Sequence, residues 1–135
     1  MKNEEFATAT VRSRMFKVQC SMFNVLISLG SNYQQSAHIQ WASQRLSMLL
    51  SSVAMSRCLW TMDIHGRGVW YMNRLVRGTT PLSPDELNSV LKQMEQATGR
   101  TPQRVTIDLD LMQYDSERYH LSDWQRPYIQ DLLDF

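Results

Sequence analysis

From Phe23 to Leu29 the chain is almost continuously apolar (FNVLISL), and Gly30 to Asn32 (GSN) follows at once. A short apolar run bounded by turn residues predicts a buried strand, and GSN offers an N-cap to the next element. From Gln34 to about Ser51 the period changes. Ile39, Ala42, Leu46, Leu49 and Leu50 recur at helical spacing between polar residues, so this segment is expected to lay one face on a sheet. Val53 to Trp60 and Val69 to Val76 predict two strands, joined by TMDIHGRG, in which Gly66 and Gly68 permit a tight turn. The stretch TPLSPDE predicts a helix start, with Ser83 as N-cap, Pro84 at the first helical position and Glu86 at the third. That helix is expected to run to about Thr98 and to end at Gly99. Val105 to Tyr114 is expected to be a strand, and a last helix to begin near Arg126. The order strand, helix, strand, strand, helix, strand predicts an α+β chain: a ferredoxin-like α/β sandwich whose antiparallel sheet is covered by helices.

At 135 residues the chain fits one domain, expected over residues 23–135. Residues 1–22 read as an N-terminal extension, in which Glu4, Glu5, Arg12, Arg14 and Lys17 mix without periodicity. A hydrophobic content of 43% with 20% charged residues describes an ordinary globular protein, and a formal charge of +1 leaves no general footprint for nucleic acid or membrane. Cys20 and Cys58 are too few for a disulfide framework or a zinc site, so both read as inert thiols in a reducing compartment. No apolar run approaches membrane-spanning length and no cleavable signal opens the chain, so a cytoplasmic location is expected. The nine methionines read as core filler, because soft thioethers are poor ligands for hard cations.

The chemically informative stretch is TIDLD, Thr106 to Asp110. Side chains alternate along a strand, so Asp108 and Asp110 point the same way while Ile107, Leu109 and Leu111 point the other. Two like charges held side by side repel unless water or a cation offsets them. The residues alone leave two readings open, a wet polar face and a site for a divalent ion.

Five segments narrow that choice: VLISLGSN in the first strand and turn, YMN (Tyr71 to Asn73), ELNSVLKQMEQATGR (Glu86 to Arg100), TIDLD, and the spacing of His120, Arg126 and Tyr128. In this order, from Val25 to about Leu133, they resemble the hydroxymethyldihydropterin pyrophosphokinase family of the folate pathway. The resemblance implies transfer of pyrophosphate from ATP to a pterin alcohol, with Asp108 and Asp110 holding two magnesium ions. It places Tyr71 and Tyr128 at the stacking positions for the pterin, Asn73 at its edge and Thr61 in its pocket. Met62 and Asp63 stand where the family has prolines. Arg100, His120 and Arg126 correspond to phosphate-positioning residues, and Glu95 to a residue near the pocket.

The chemistry of these residue types agrees with what the resemblance implies. Displacement at a phosphorus of ATP needs cations that hold the phosphates, and magnesium takes one or two carboxylates with water and phosphate oxygens. An amide offers a ring edge both acceptor and donors, and arginine presents a planar fork to phosphate. The long closing loop that the family carries between its Gly-Arg pair and its acidic strand is reduced here to little more than TPQRV. The family's arginine three residues before the first aspartate falls on Val105, beside Arg104. Two alternatives follow: a relative that binds pterin or nucleotide without turnover, and a ferredoxin-like interaction module using Trp70, Tyr71 and Arg74 as a stacking platform for RNA.

Overall fold

The computed structural model describes residues 21–63 and 68–135; residues 1–20, with the expected extension and Cys20, and residues 64–67, with His65 and Gly66, lie outside the described residues. The elements run β1 (Phe23–Ser31), α1 (Gln35–Leu49), β2 (Ser51–Met55), β3 (Leu59–Met62), β4 (Trp70–Thr80), α2 (Pro84–Ala97), β5 (Asp108–Tyr114), β6 (Glu117–Arg118), a 3-10 turn (Asp123–Gln125) and α3 (Pro127–Leu132). The strands form one antiparallel sheet in the order β2-β4-β1-β5-β6, with β3 also paired to β4. This is the expected α+β, ferredoxin-like arrangement, and its most apolar strand, β1, lies at the centre.

Strand alternation divides β1 between two cores. Val25, Ile27 and Leu29 pack in a cluster with Ile39, Ala42 and Leu46 of α1 and Leu87 and Leu91 of α2. Leu26 faces the other way and joins Leu75, Met112, Trp124, Ile129 and Leu132 under the C-terminal segment. Fully burying one such aliphatic side chain contributes about 1.5–3 kcal/mol, so Ile129 and Leu132 hold a six-residue helix too short to persist alone. The C-terminal segment covers the Leu26 end of this face. Ser28 and Gly30, further along β1 on the same face, line an open hollow.

Two expectations change. The strand expected over residues 53–60 is two strands separated by a bulge. Met55 lies opposite Val76 and Leu59 opposite Asn73, so four steps on one strand (55 to 59) oppose three on β4 (73 to 76). Buried Ser56 pins the irregularity, donating its N–H to the Leu75 carbonyl and accepting the Leu75 N–H on its Oγ, both at 2.9 Å. The extra residue reverses which side chains face which way. Val53 and Met55 therefore pack with the helices, whereas Leu59 packs under the C-terminal segment.

The turn after β1 also differs. Helix α1 begins at Gln35, with Gln34 in the left-handed region at the N-cap position and no side-chain cap, and the Asn32 side chain is used elsewhere in the fold. By contrast α2 has the expected capping box: Glu86 N–H donates to Ser83 Oγ at 3.2 Å, and Ser83 N–H to Glu86 Oε1 at 2.8 Å. The strand expected from Val105 begins at Asp108, since residues 105–107 are held by the β1 turn; Asn32 N–H donates to the Val105 carbonyl at 2.9 Å.

Candidate active site

The hollow is built on three adjacent strands. On β1, Gly30 lies opposite Asn73 of β4 on one side and Asp108 of β5 on the other, while Ser28 lies opposite Leu75 and Asp110. Small residues on the central strand thus leave a floor between a carboxylate wall and a Tyr71–Asn73 wall. With strands about 4.8 Å apart, the backbones carrying Asn73 and Asp108 are roughly 10 Å apart. Thr61 and Asp63 add a rim from the β3 end, and Arg126 and Tyr128 form the wall contributed by the C-terminal segment. The resulting cavity has a volume of about 480 Å³, within the range that holds a small organic ligand.

The carboxylate wall is electrostatically loaded. Asp110 is only 23% exposed, and its pKa is pushed up from 3.8 to about 6 by burial first and by Asp108 second; His120 pulls the other way. His120 Nε2 is 3.8 Å from Asp110 Oδ1, an ion-pair separation rather than a hydrogen bond. Asp108 Oδ1 accepts from Arg100 Nη1 at 3.0 Å. Arg100 also lies 3.3 Å from Glu95 Oε2, and that oxygen accepts the Leu109 N–H at 2.7 Å. Glu95 therefore sits behind the acidic strand. It satisfies a backbone donor between the two aspartates and does not line the cavity.

The opposite wall is fixed by hydrogen bonds. Asn73 Nδ2 donates to Thr61 Oγ1 at 2.8 Å and to the Leu59 carbonyl at 3.1 Å, which uses both amide hydrogens and leaves Oδ1 as the free end. That oxygen faces the floor: a Cβ added at Gly30 would lie 3.6 Å from it. Tyr71 is held from the β1 turn by Asn32 Nδ2, which donates to its hydroxyl at 3.2 Å, while Asn32 Oδ1 accepts the Val105 N–H at 2.8 Å. Across the cavity, burial raises the Tyr128 phenol pKa, with Arg126 opposing the shift, and Arg126 Nε is held by Asp123 Oδ1 at 2.9 Å.

Residues 26–133 match the family model for 7,8-dihydro-6-hydroxymethylpterin-pyrophosphokinase (HPPK). The chain belongs to this family. An Arabidopsis thaliana folate synthesis bifunctional protein is 29% identical over 121 residues, covering 78% of this chain and 25% of the relative. A mitochondrial folate synthesis bifunctional protein of the same plant is 30% identical over 145 residues, covering 94% of this chain and 26% of the relative. The chain thus spans about a quarter of the length of these relatives.

Within this HPPK domain the structure gathers Thr61, Tyr71, Asn73, Asp108, Asp110, Arg126 and Tyr128 around one cavity. His120 stands beside Asp110, and Arg100 with Glu95 forms a row behind Asp108. Two carboxylates on one rigid strand, with the Asp110 pKa raised by burial first and by Asp108 second, form a donor set that fits magnesium completed by water and phosphate oxygens. Among the described residues no group of three or more His, Cys, Asp or Glu side chains is arranged to hold a metal ion by itself. The segment leading into β5 is a closed turn, with Thr101 and Arg104 exchanging backbone hydrogen bonds at 3.1 and 3.2 Å. Arg104 stacks over the Tyr33 ring at 4.6 Å and does not line the cavity. Sequence reasoning missed Ser28, Gly30, Asn32, Asp63 and Asp123. A signal for the first two was present, since the small residues of VLISLGS alternate onto a single face.

Proposed function

We propose that this chain transfers pyrophosphate from ATP to 6-hydroxymethyl-7,8-dihydropterin, releasing AMP, as a step of folate biosynthesis in the cytoplasm. One observation carries the reading: a carboxylate pair and an aromatic-amide wall face each other across Gly30 in a single cavity. The pterin ring fits between Tyr71 and Tyr128 with its polar edge toward Asn73 Oδ1, which accepts from a ring donor. That places the hydroxymethyl arm toward the acidic wall, where its oxygen attacks the β-phosphorus and gives up its proton to solvent, the bond from that phosphorus to the α,β-bridging oxygen breaks, and AMP departs. Asp108 and Asp110 would hold two magnesium ions, which supply charge neutralisation to the phosphates and to the transition state. Arg126 and His120 meet phosphate oxygens from the open side, while Arg100 braces Asp108. Positioning and charge stabilisation account for a transfer of this kind without a dedicated base.

A second reading is favoured by Arg104. With that guanidinium stacked on Tyr33 and its segment closed into a turn, the short connection supplies no cation to the phosphates. A lid that excludes water normally accelerates such chemistry, so this architecture also suits a relative that binds both ligands without turnover. Incubation with magnesium, ATP and 6-hydroxymethyl-7,8-dihydropterin decides between them. AMP and pyrophosphorylated pterin formed by the wild type and by neither Asp108→Asn nor Asp110→Asn supports the pyrophosphokinase; binding of both ligands without AMP supports the second reading.

A further inference from the structure

We infer that Asp63 is a specificity-determining residue, which recognises the 2-amino and adjacent ring N–H edge of a 2-amino-4-oxopteridine. The inference rests on the pterin reading of the cavity. Leu59, Thr61 and Asp63 alternate onto one face of β3 and its continuation, the face that the Ser56 bulge turns toward the cavity. Thr61 lies directly opposite Tyr71, so Asp63 follows diagonally past the ring on which a flat ligand would stack. Its backbone is anchored, with Asp63 N–H donating to the Val69 carbonyl at 2.8 Å. The residue is only 7% exposed, and it lines the cavity.

The hydrogen-bond arithmetic at the neighbouring residues decides what this end of the cavity can read. Asn73 has spent both amide hydrogens on Leu59 and Thr61, and offers the ligand an acceptor alone. The assignment is fixed by chemistry, because the Leu59 carbonyl can only accept. Asp63 is engaged by the chain; an ionised carboxylate offers about four lone-pair sites, of which a pair of ligand donors needs two. The wall is therefore complementary to a ligand edge rich in donors. A 2-amino group beside a ring N–H presents two parallel donors, the geometry that a carboxylate meets with two charge-assisted hydrogen bonds. A 2-oxo pteridine places a carbonyl in the same position and would set oxygen against oxygen, which a buried carboxylate rejects.

Binding of 6-hydroxymethylpterin and of its 2-oxo counterpart, 6-hydroxymethyllumazine, is measured by ligand fluorescence for the wild type, Asp63→Asn and Asp63→Ala, with magnesium and a non-hydrolysable ATP analogue present. The wild type should prefer the 2-amino compound by roughly 10- to 100-fold, the worth of a buried charge-assisted pair. Asp63→Asn, which can turn a donor toward the 2-oxo group, should reduce the preference to about fivefold or less, with Asp63→Ala between them. Nucleotide affinity should stay within about twofold, and an unchanged urea midpoint for Asp63→Asn shows that its fold is kept. Full preference retained in Asp63→Asn, or a loss confined to nucleotide binding, overturns the assignment while leaving the pterin cavity standing. If the wild type binds neither pteridine, the pterin reading itself fails, and the assignment with it.

Discussion

Replacing Asp110 by asparagine should make the metal-free protein more stable at neutral pH while removing metal-dependent nucleotide binding. The folded-state pKa of Asp110 is raised from 3.8 to about 6, so the folded protein favours the protonated form, and the unfolded chain does not. Between those values the native state binds the extra proton, and the contribution of Asp110 to stability falls as pH rises through that window. A shift from 3.8 to about 6 corresponds to about 3 kcal/mol once the carboxylate is fully ionised, an upper bound because the side chain keeps 23% of its surface in water. Burial is the largest cause of the shift; Asp108 and Glu95 add to it, and His120 and Lys92 oppose it. Asparagine keeps the shape and does not titrate. Urea unfolding in a chelator should show the variant more stable by about 1–3 kcal/mol near pH 7.5, with the gap closing as pH is lowered to about 4. Magnesium should narrow the gap from the other side, because a ligand bound only by the native wild type stabilises it alone. A variant no more stable than wild type at neutral pH, or a gap of equal size at both pH values, would refute the electrostatic account.

Other changes probe different parts of the structure. A Cβ at Gly78 would sit 2.9 Å from Leu50 Cβ and 3.2 Å from the Ser51 carbonyl, so Gly78→Ala should destabilise by about 1–3 kcal/mol, read as a lower urea midpoint at unchanged slope. Asn73→Ala should weaken pterin binding by roughly 10- to 100-fold in a titration while ATP affinity holds, and equal losses would tell against its assignment. Asn32→Ala frees the Tyr71 hydroxyl and leaves the Val105 N–H without its 2.8 Å acceptor; it should lower pterin affinity and speed amide exchange at Val105, and unchanged exchange there would show that the contact does not hold the segment. Ile129→Ala should cost about 2–5 kcal/mol and loosen α3, detected as faster exchange over Pro127–Leu132.

Periodicity and capping made most of the fold legible. The apolar run of β1, the spaced Ile39, Ala42 and Leu46 of α1, and the Ser83–Glu86 box of α2 each carry their structure in adjacent residues. What escaped depends on partners distant in sequence. The bulge at Ser56 exists because Leu75 binds both its N–H and its hydroxyl, and Asn32 is committed to Tyr71 and Val105 while Gln34 takes the N-cap position of α1. The acidic pair was readable because two aspartates in an apolar strand break a local rule. Asp63 was readable only as a departure from the expected prolines, since its neighbour Met62 is exposed and nothing in its local spacing marks it as buried.

The extra residue near Ser56 acts as a phase shift in the chain. Before it, the odd-numbered side chains Val53 and Met55 belong to the helical layer; after it, the odd-numbered Leu59 and Thr61 belong to the opposite layer. A one-residue insertion between Met55 and Leu59, with the bulge at Ser56 kept, would leave a good β-strand by composition, yet would rotate Thr61 and Asp63 out of the cavity and present Trp60 and Met62 to it. The recognition wall is thus encoded as much by the length of the chain there as by its residue types, and it is open to loss or revision by a single in-frame codon change that alters no functional side chain.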